Sequence, residues 1–359
     1  MKIALVTAQL SMGGAEKMVV QLARGLHKRG ESVIVIAGEG QYAKSLRNLG
    51  IEVIHIPFDQ KKVWWRLSVW KRLGQILKTE NFDVVHVHTV PLAFLLRGIL
   101  RIAHLQAQTV LTLHGSPLWK LRCARPLIKG LNLKRCAVSP DLASFLDASY
   151  IPNAVGSFFS GTEEERCEHQ RVKLMKLRNQ QVIHVGMVAR LVKEKGIDMW
   201  FEAVHILKNK GIGIYTSIAG DGPERQRLTV QSKALGIEVE FLGWQCEPWR
   251  LMQDFDLFVL SSRREGEPLA LLEAMALGLP ALATKVGGIA SLLTSGAGLL
   301  VEPTVQGLAE GIVEFLAMPR VDQNQMVRIA RERVSERTWD QIVDAYLGIY
   351  QGGKPWHSN

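Results

Sequence analysis

The chain has 359 residues, 47% hydrophobic and 22% charged, which excludes a disordered polypeptide and sets two domains of ordinary size as the expectation. Its net charge of +10 is uneven, because residues 1–160 carry 21 basic and 9 acidic side chains and so hold the whole excess. The glycines and prolines follow no period, which excludes collagen-like and solenoid chains. No apolar run reaches the roughly 18 residues of a membrane span, and Val90 to Leu100 is broken by Arg97.

In chain order, KIALVTA reads as a buried strand. Lys2 ahead of an apolar run resembles a secretion signal, but the run is short, lacks a small-x-small cleavage site and leads into GGAEK. The expectation is therefore a cytoplasmic protein. SMGGAEK follows as a loop in which adjacent Gly13 and Gly14 permit close backbone approach to a ligand. MVVQLARGLHKRG has helical apolar spacing with a stop at Gly30. ESVIVIAG, IEVIHIPF, FDVVHVHT and TVLTLHG repeat a nearly continuous apolar strand character, with helical stretches between several of them. That pattern indicates a parallel sheet covered on both faces.

The pattern dissolves across Gly156 to Gln180 and restarts at QVIHVGMVARL. It continues through GIDMWFEAVHILKNKG, IGIYTSIAGDGP, VEFLGW, FDLFVLSS and PALATKV, and the last helix runs from Trp339 to Tyr350. The expected organisation is α/β, with domains at residues 1–155 and 181–336, a linker at 156–180 and a terminal helix and tail at 337–359. Cys123, Cys136, Cys167 and Cys246 lie far apart without a CxxC, which points to reduced structural thiols.

Three stretches carry chemistry. In REGEPLALLEAMALGLPALATKVGG, Glu265 precedes, and Glu273 lies about one and a half turns inside, a helix beginning at Pro268, whose missing N–H suits a first turn. The exposed amides of that helix end could bind a phosphate, with a carboxylate on either side for hydroxyls; two solvated helix carboxylates remain the alternative. In GMVARLVKEKGID, Arg190 and Lys195 sit in a strand-to-helix loop, where parallel sheets bind ligands, and could both neutralise a diphosphate. SMGGAEK is the third.

Together with VHVHT, TLHG, IPNAV, AGDGPE and FLGW, these motifs resemble the retaining nucleotide-sugar glycosyltransferases of family 4, and they do so in order along nearly the whole chain. The resemblance implies the GT-B architecture, two Rossmann-like doubly wound domains facing a central cleft, with the acceptor in the first and the nucleotide-sugar in the second. It implies that Arg190 and Lys195 bind the donor diphosphate and stabilise it as it leaves. Glu273 would hold the ribose, Glu265 and Gly266 would meet the transferred sugar, and amides at Leu269 and Ala270 would contact phosphate. The loops at Gly220 to Gly222 and Gly243 to Trp244 would flank the base, Gly13 and Gly14 would close over the donor, and His114 would reach the sugar, though a core histidine fits that position nearly as well. It further implies retention of configuration, no cofactor beyond the donor and, on frequency in such families, a UDP-sugar. The chain departs from the family pattern at Glu267, where many relatives carry an apolar or aromatic residue, and at IPNAVG in place of IPNGVD.

Asp254-Phe255-Asp256 matches a metal-holding D-x-D but sits just before a strand, so a structural role is expected, and His86 with His88 has only Asp83 nearby as a possible third ligand; no metal site is expected. Lys61, Lys62, Trp64, Trp65 and Arg66 combine cations with tryptophans as at a membrane interface, and a second basic stretch runs from Leu118 to Arg135. The partners expected are a nucleotide-sugar, a glycan or lipid-linked acceptor in bacterial surface polysaccharide assembly, and an anionic cytoplasmic leaflet, with no nucleic acid. The rival readings are an epimerase or synthase-like enzyme on the same architecture and a nucleic-acid-binding protein using the basic half.

Overall fold

A computed structural model describes residues 1–11, 13–58, 63–115, 118–155, 182–245 and 247–353, with the side chains of 63–67 and 118–120 excepted. The linker expected at 156–180, Lys61, Lys62, Cys167 and Cys246 lie outside the described residues. Two compact units are present, one of Met1–Asn153 with Trp339–Asn359 and one of Ala154–Thr338.

The first unit carries strands β1 (Lys2–Gln9), β2 (Ser32–Gly38), β3 (Glu52–His55), β4 (Val84–Val87), β5 (Gln108–Leu113), β6 (Lys134–Ala137) and β7 (Ser149–Tyr150). They form one sheet in the order β3-β2-β1-β4-β5-β6-β7, parallel at every pairing. Ile3, Ala4, Leu5 and Val6 of β1 are fully buried, because a central parallel strand is covered on both faces and needs no polar side. The covering helices are α1 (Gly14–Lys28), α2 (Gln41–Arg47), α3 (Val63–Glu80), α4 (Val90–Ile102), α5 (Leu118–Gly130) and α6 (Pro140–Leu146). Helix α1 buries Met18, Val19, Leu22, Ala23 and Leu26, keeps Glu16 in its first turn and His27 and Lys28 in its last, and stops just short of Gly30. Along α3, Val69, Leu73 and Leu77 are buried, Trp70 packs against the same core, and Lys71, Arg72 and Lys78 face solvent.

The second unit carries β8 (Ile183–Val188), β9 (Ile214–Ala219), β10 (Glu238–Gly243), β11 (Leu257–Leu260), β12 (Ala281–Thr284) and β13 (Leu299–Val301), parallel in the order β10-β9-β8-β11-β12-β13. Its helices are α7 (Ile197–Asn209), α8 (Arg225–Ala234), α9 (Pro248–Met252), α10 (Leu269–Leu277), α11 (Ile289–Leu293), α12 (Val305–Ala317) and α13 (Arg320–Ser335). In both sheets the order reverses beside the first strand of the unit, between β1 and β4 and between β8 and β11. Such switch points leave a crevice at the carboxyl ends of the two strands.

The last helix, α14 (Trp339–Tyr350), returns to the first unit. It buries Ile342, Val343, Tyr346, Ile349 and Tyr350 and lies against α1, where Gly25 leaves room for Val343: a Cβ on Gly25 would come within 2.3 Å of Val343 Cγ2. Arg29 donates to Asp344 at 2.6 Å and to Asp340 at 3.2 Å. The Tyr350 hydroxyl bonds His86 Nδ1 at 2.7 Å, while His86 Nε2 meets Thr112 Oγ1 at 2.8 Å and the Tyr346 hydroxyl lies 3.2 Å from the same Thr112 oxygen.

Candidate functional site

The second switch point is built around the loops after β8 and β11. After β8 the chain passes Arg190 and forms a 3-10 turn at Lys193–Lys195 before α7. After β11 it passes Ser261, Ser262, Arg263 and Arg264 to Glu265. Gly196 joins the two loops closely, its φ of +61° lying in the left-handed region and a Cβ there falling 2.1 Å from the Ser261 carbonyl oxygen. Ser261 Oγ donates to the Lys195 carbonyl at 3.0 Å, the Arg263 amide to the Glu194 carbonyl at 2.8 Å, and the Arg263 guanidinium grips Asp198 at 2.7 and 2.9 Å.

That scaffold brings the charged groups together. Lys195 Nζ lies 2.5 Å from Glu265 Oε1, and Ser262 Oγ donates to the same oxygen at 2.7 Å. The Glu265 side chain is 8% exposed, so its pairing with Lys195 is desolvated on most sides and stronger than a surface pair. From the opposite side, Gly287 supports the Glu265 backbone: at φ +51° it brings its Cα so near that a Cβ would lie 2.0 Å from the Glu265 carbonyl oxygen. The Gly288 amide then donates to the Gly266 carbonyl at 2.9 Å. This is the structural work of the VGG stretch.

Helix α10 begins at Leu269, with Pro268 as its N-cap, so the proline stands one position earlier than the first turn expected for it. No side chain caps this end and its first turn holds no acidic residue, so the leading amides at Leu269 and Ala270 present the positive end of the helix dipole. The helix is apolar on every side except for Glu273, itself buried five residues in.

Arg190 is exposed and, among the described residues, its guanidinium has no hydrogen-bond partner. Its neighbours are tied to the next loops, the Leu191 amide to the Asp221 carbonyl at 2.9 Å and the Glu224 amide to the Leu191 carbonyl at 3.0 Å. The Gly220 amide meets the Gly243 carbonyl at 2.7 Å. Arg190, Lys195, Gly220, Gly243, Glu265, Gly266, Leu269, Ala270 and Glu273 therefore all belong to loops and helix ends on the carboxyl edge of one sheet.

Gly13, Gly14 and His114 lie in the other unit, at the carboxyl edge of its own sheet. Gly13 is the extended N-cap of α1, which lacks a side-chain cap, and Gly14 is exposed. His114 follows β5, and its Nε2 sits 3.0 Å from His88 Nδ1 with the rings stacked at 23°. Burial pushes His114 down to about 4 and His86 down to about 3, and holds His88 well below its ordinary value, so all three imidazoles are neutral at pH 7.

Other sequence features prove structural. Asp256 accepts the His184 amide at 2.9 Å, and the Asp254 carbonyl lies 2.9 Å from His184 Nδ1, so D-F-D fastens β8 beside β11. Among the described residues no cluster of three or more His, Cys, Asp or Glu could hold a metal ion. Among the described residues Cys123 and Cys136 are free thiols; Cys136 is buried, which pushes its thiol up to about 12, whereas Cys123 is exposed on α5. Glu267 is buried and paired with Arg337 at 2.6 Å. Trp64, Trp65 and Arg66 fall within α3, their side chains outside the described residues. No helix is long and apolar enough to cross a membrane among the described residues. Sequence reasoning missed Asp198, Ser262, Arg263 and Arg337; Asp198 and Arg263 lie inside or beside quoted motifs, but nothing local pairs them.

Comparison with known proteins adds to this geometry. The family model "Glycosyltransferase Family 4" matches residues 12–150 and "Glycosyl transferases group 1" matches residues 171–333. TuaC of Bacillus subtilis, a glycosyltransferase assigned to teichuronic acid biosynthesis, is 34% identical over 48% of this chain, which spans only 42% of TuaC's length. The N-acetyl-alpha-D-glucosaminyl L-malate synthase of Bacillus anthracis is 26% identical, covering 96% of this chain and 95% of its own. The structure of Anabaena HepE in complex with UDP and glucose superposes with a TM-score of 0.81 over 98% of this chain and 100% of its own, at 22% identity.

Proposed function

Because the chain belongs to the family-4 glycosyltransferases of the GT-B fold, we propose that it moves a hexose or N-acetylhexosamine from a UDP-sugar to a glycan or lipid-linked glycan acceptor, with retention of configuration, in the assembly of a bacterial surface polysaccharide. One observation carries the reading. The Lys195–Glu265 pair, Arg190, without a hydrogen-bond partner among the described residues, and the uncapped end of α10 share the carboxyl edge at a single switch point. Cations, helix amides and a carboxylate in that arrangement suit a diphosphate with a sugar attached.

In this reading Arg190, Lys195 and the amides of Leu269 and Ala270 meet the diphosphate, Glu273 the ribose hydroxyls and Glu265 the sugar hydroxyls. As the bond from the anomeric carbon to the phosphate oxygen breaks, positive charge grows on the carbon and negative charge on the diphosphate. The two cations and the helix end oppose the second, already in place before the charge develops. The acceptor hydroxyl forms the new bond on the face the diphosphate leaves, and its proton passes to the departing phosphate oxygen. No protein nucleophile is needed, and the two cations with the helix end take the place of a metal ion.

A UDP-sugar is supported by the complex of HepE with UDP and glucose, and the polysaccharide setting by TuaC. Peripheral contact with an anionic cytoplasmic membrane is supported by exposed Lys71, Arg72, Lys78, Arg101, Arg122 and Lys129, with Ile102 and Leu127 exposed among them. The test is thermal stabilisation by a panel of UDP-, GDP-, ADP- and CMP-sugars without added metal. Stabilisation by UDP-sugars that vanishes in Arg190→Ala and Glu273→Ala is expected, and preference for another base, or shifts that survive both substitutions, would reject the donor assignment.

A further inference from the structure

The Glu267 side chain, 1% exposed, is paired with Arg337. An unpaired carboxylate there, two residues ahead of α10, would oppose an anion at the helix end and would be unfavourable to bury alone. Arg337 cancels it. The guanidinium arrives from the end of α13, a helix that packs against α10 and buries Met326, Ala330 and Val334 at four-residue spacing. Arg331 of the same helix donates to the Leu277 carbonyl at 2.9 Å, at the other end of α10. Helix α10 is thus gripped at both ends from one neighbour.

The Arg337 backbone makes a second connection. Its carbonyl accepts the Val155 amide at 3.2 Å, and Val155 pairs with Thr338 in an isolated parallel bridge. The chain leaves the first unit between Asn153 and Ala154 and returns to it between Thr338 and Trp339. Both crossings are therefore hydrogen-bonded to each other beside the residue that holds Glu267.

We propose that Arg337 is a positioning residue that couples the Glu265–Pro268 donor loop to the paired chain crossings through Glu267. A diphosphate at the α10 end steadies the loop, Glu267 holds the Arg337 guanidinium, and the Arg337 carbonyl holds Val155. By linkage, whatever steadies the crossings tightens the donor site by the same factor. The ligand in this chain of contacts rests on the donor reading above; the connection from Glu267 to Val155 does not.

Hydrogen exchange at the Val155 amide tests the connection, with the β11 amides as internal reference. Without nucleotide, Glu267→Gln is expected to speed exchange at Val155 about tenfold, since a buried charge-assisted hydrogen bond beside it is weakened. Arg337→Gln should act alike and Arg337→Lys should restore part of the protection. Unchanged exchange at Val155, or an equal acceleration in β11 that marks general loss of stability, overturns the coupling. Added UDP should slow Val155 in the wild type and not in Glu267→Gln. UDP that binds without slowing Val155 also overturns it. UDP that does not bind counts against the donor reading, while the nucleotide-free comparison still decides the connection.

Discussion

Asp198 and Arg263 form a two-pronged ion pair, Oδ1 to Nη1 at 2.7 Å and Oδ2 to Nη2 at 2.9 Å, that fastens the loop after β8 to the loop after β11. Lys195 sits on the first loop and Glu265 on the second, so this planar fork sets the spacing of the two groups proposed to meet the donor.

Burial pushes the Asp198 carboxyl up, but the hydrogen bonds and charge of Arg263 outweigh it and hold the group below the usual carboxylate range. Its contribution is therefore present above the unfolded value near 3.9 and is lost as the pH falls through the folded one. Asp198→Asn is expected to cost about 1 kcal/mol at pH 7, solvent screening of the half-exposed Arg263 keeping the figure small. The stability gap between the two proteins should begin to close as the pH falls below about 4. A gap that stays constant down to pH 3 would show that the charge pair is not its source.

Lys195→Ala should lower kcat by about 10²- to 10³-fold, the usual cost of removing a group aimed at developing charge. Part of that loss should come from Glu265, which keeps only Ser262 as its partner at that oxygen. Lys195→Arg should recover little, because a planar fork does not replace a compact ammonium in a fitted site. Steady-state kinetics at saturating donor, with circular dichroism as the folding control, decide this, and a changed KM at constant kcat would assign Lys195 to binding alone.

His114, held near 4 by burial, should contribute no limb to the kcat/KM profile between about pH 5.5 and 8. Because His86 and His114 are neutral when folded and charge when unfolded, stability should fall as the pH drops below about 6.5. Denaturant titrations from pH 7 to pH 5 check the slope, which should flatten in His86→Asn. A kinetic limb near 6.5 that disappears in His114→Gln would contradict the neutral assignment.

Gly25→Val should displace α14, since the added carbon would meet Val343. Overpacking of this kind costs about 1–3 kcal/mol. Faster proteolysis within α14 is the expected result; proteolysis unchanged from the wild type would show that the Gly25–Val343 contact does not hold the helix.

Both sheets and most of their helices were legible because parallel strands buried on two faces leave uninterrupted runs such as IALV and VVHV. The E-x7-E stretch and the R-x4-K loop were legible because their chemistry is local. What escaped is long-range pairing. Asp198 and Arg263 look like ordinary surface charges until the loops meet, and Glu267 gains its meaning from Arg337, 70 residues away. Pro268 fits an N-cap or a first turn equally well by composition. The terminal helix was visible by its period, but the unit it joins depends on Gly25, Arg29 and the hydroxyls of Tyr346 and Tyr350, which no local pattern relates to it.

The return of α14 to the first unit fixes an order of assembly. As the chain emerges from the ribosome, residues 1–153 are made before the second unit, yet His86 and Thr112 wait for tyrosines that appear only after that entire unit. The earliest-synthesised half is thus the last to be completed. A translation arrest before Trp339 would leave His86 and Thr112 without their tyrosine partners and the α1 surface at Gly25 uncovered, the kind of incomplete species that chaperones and proteases recognise.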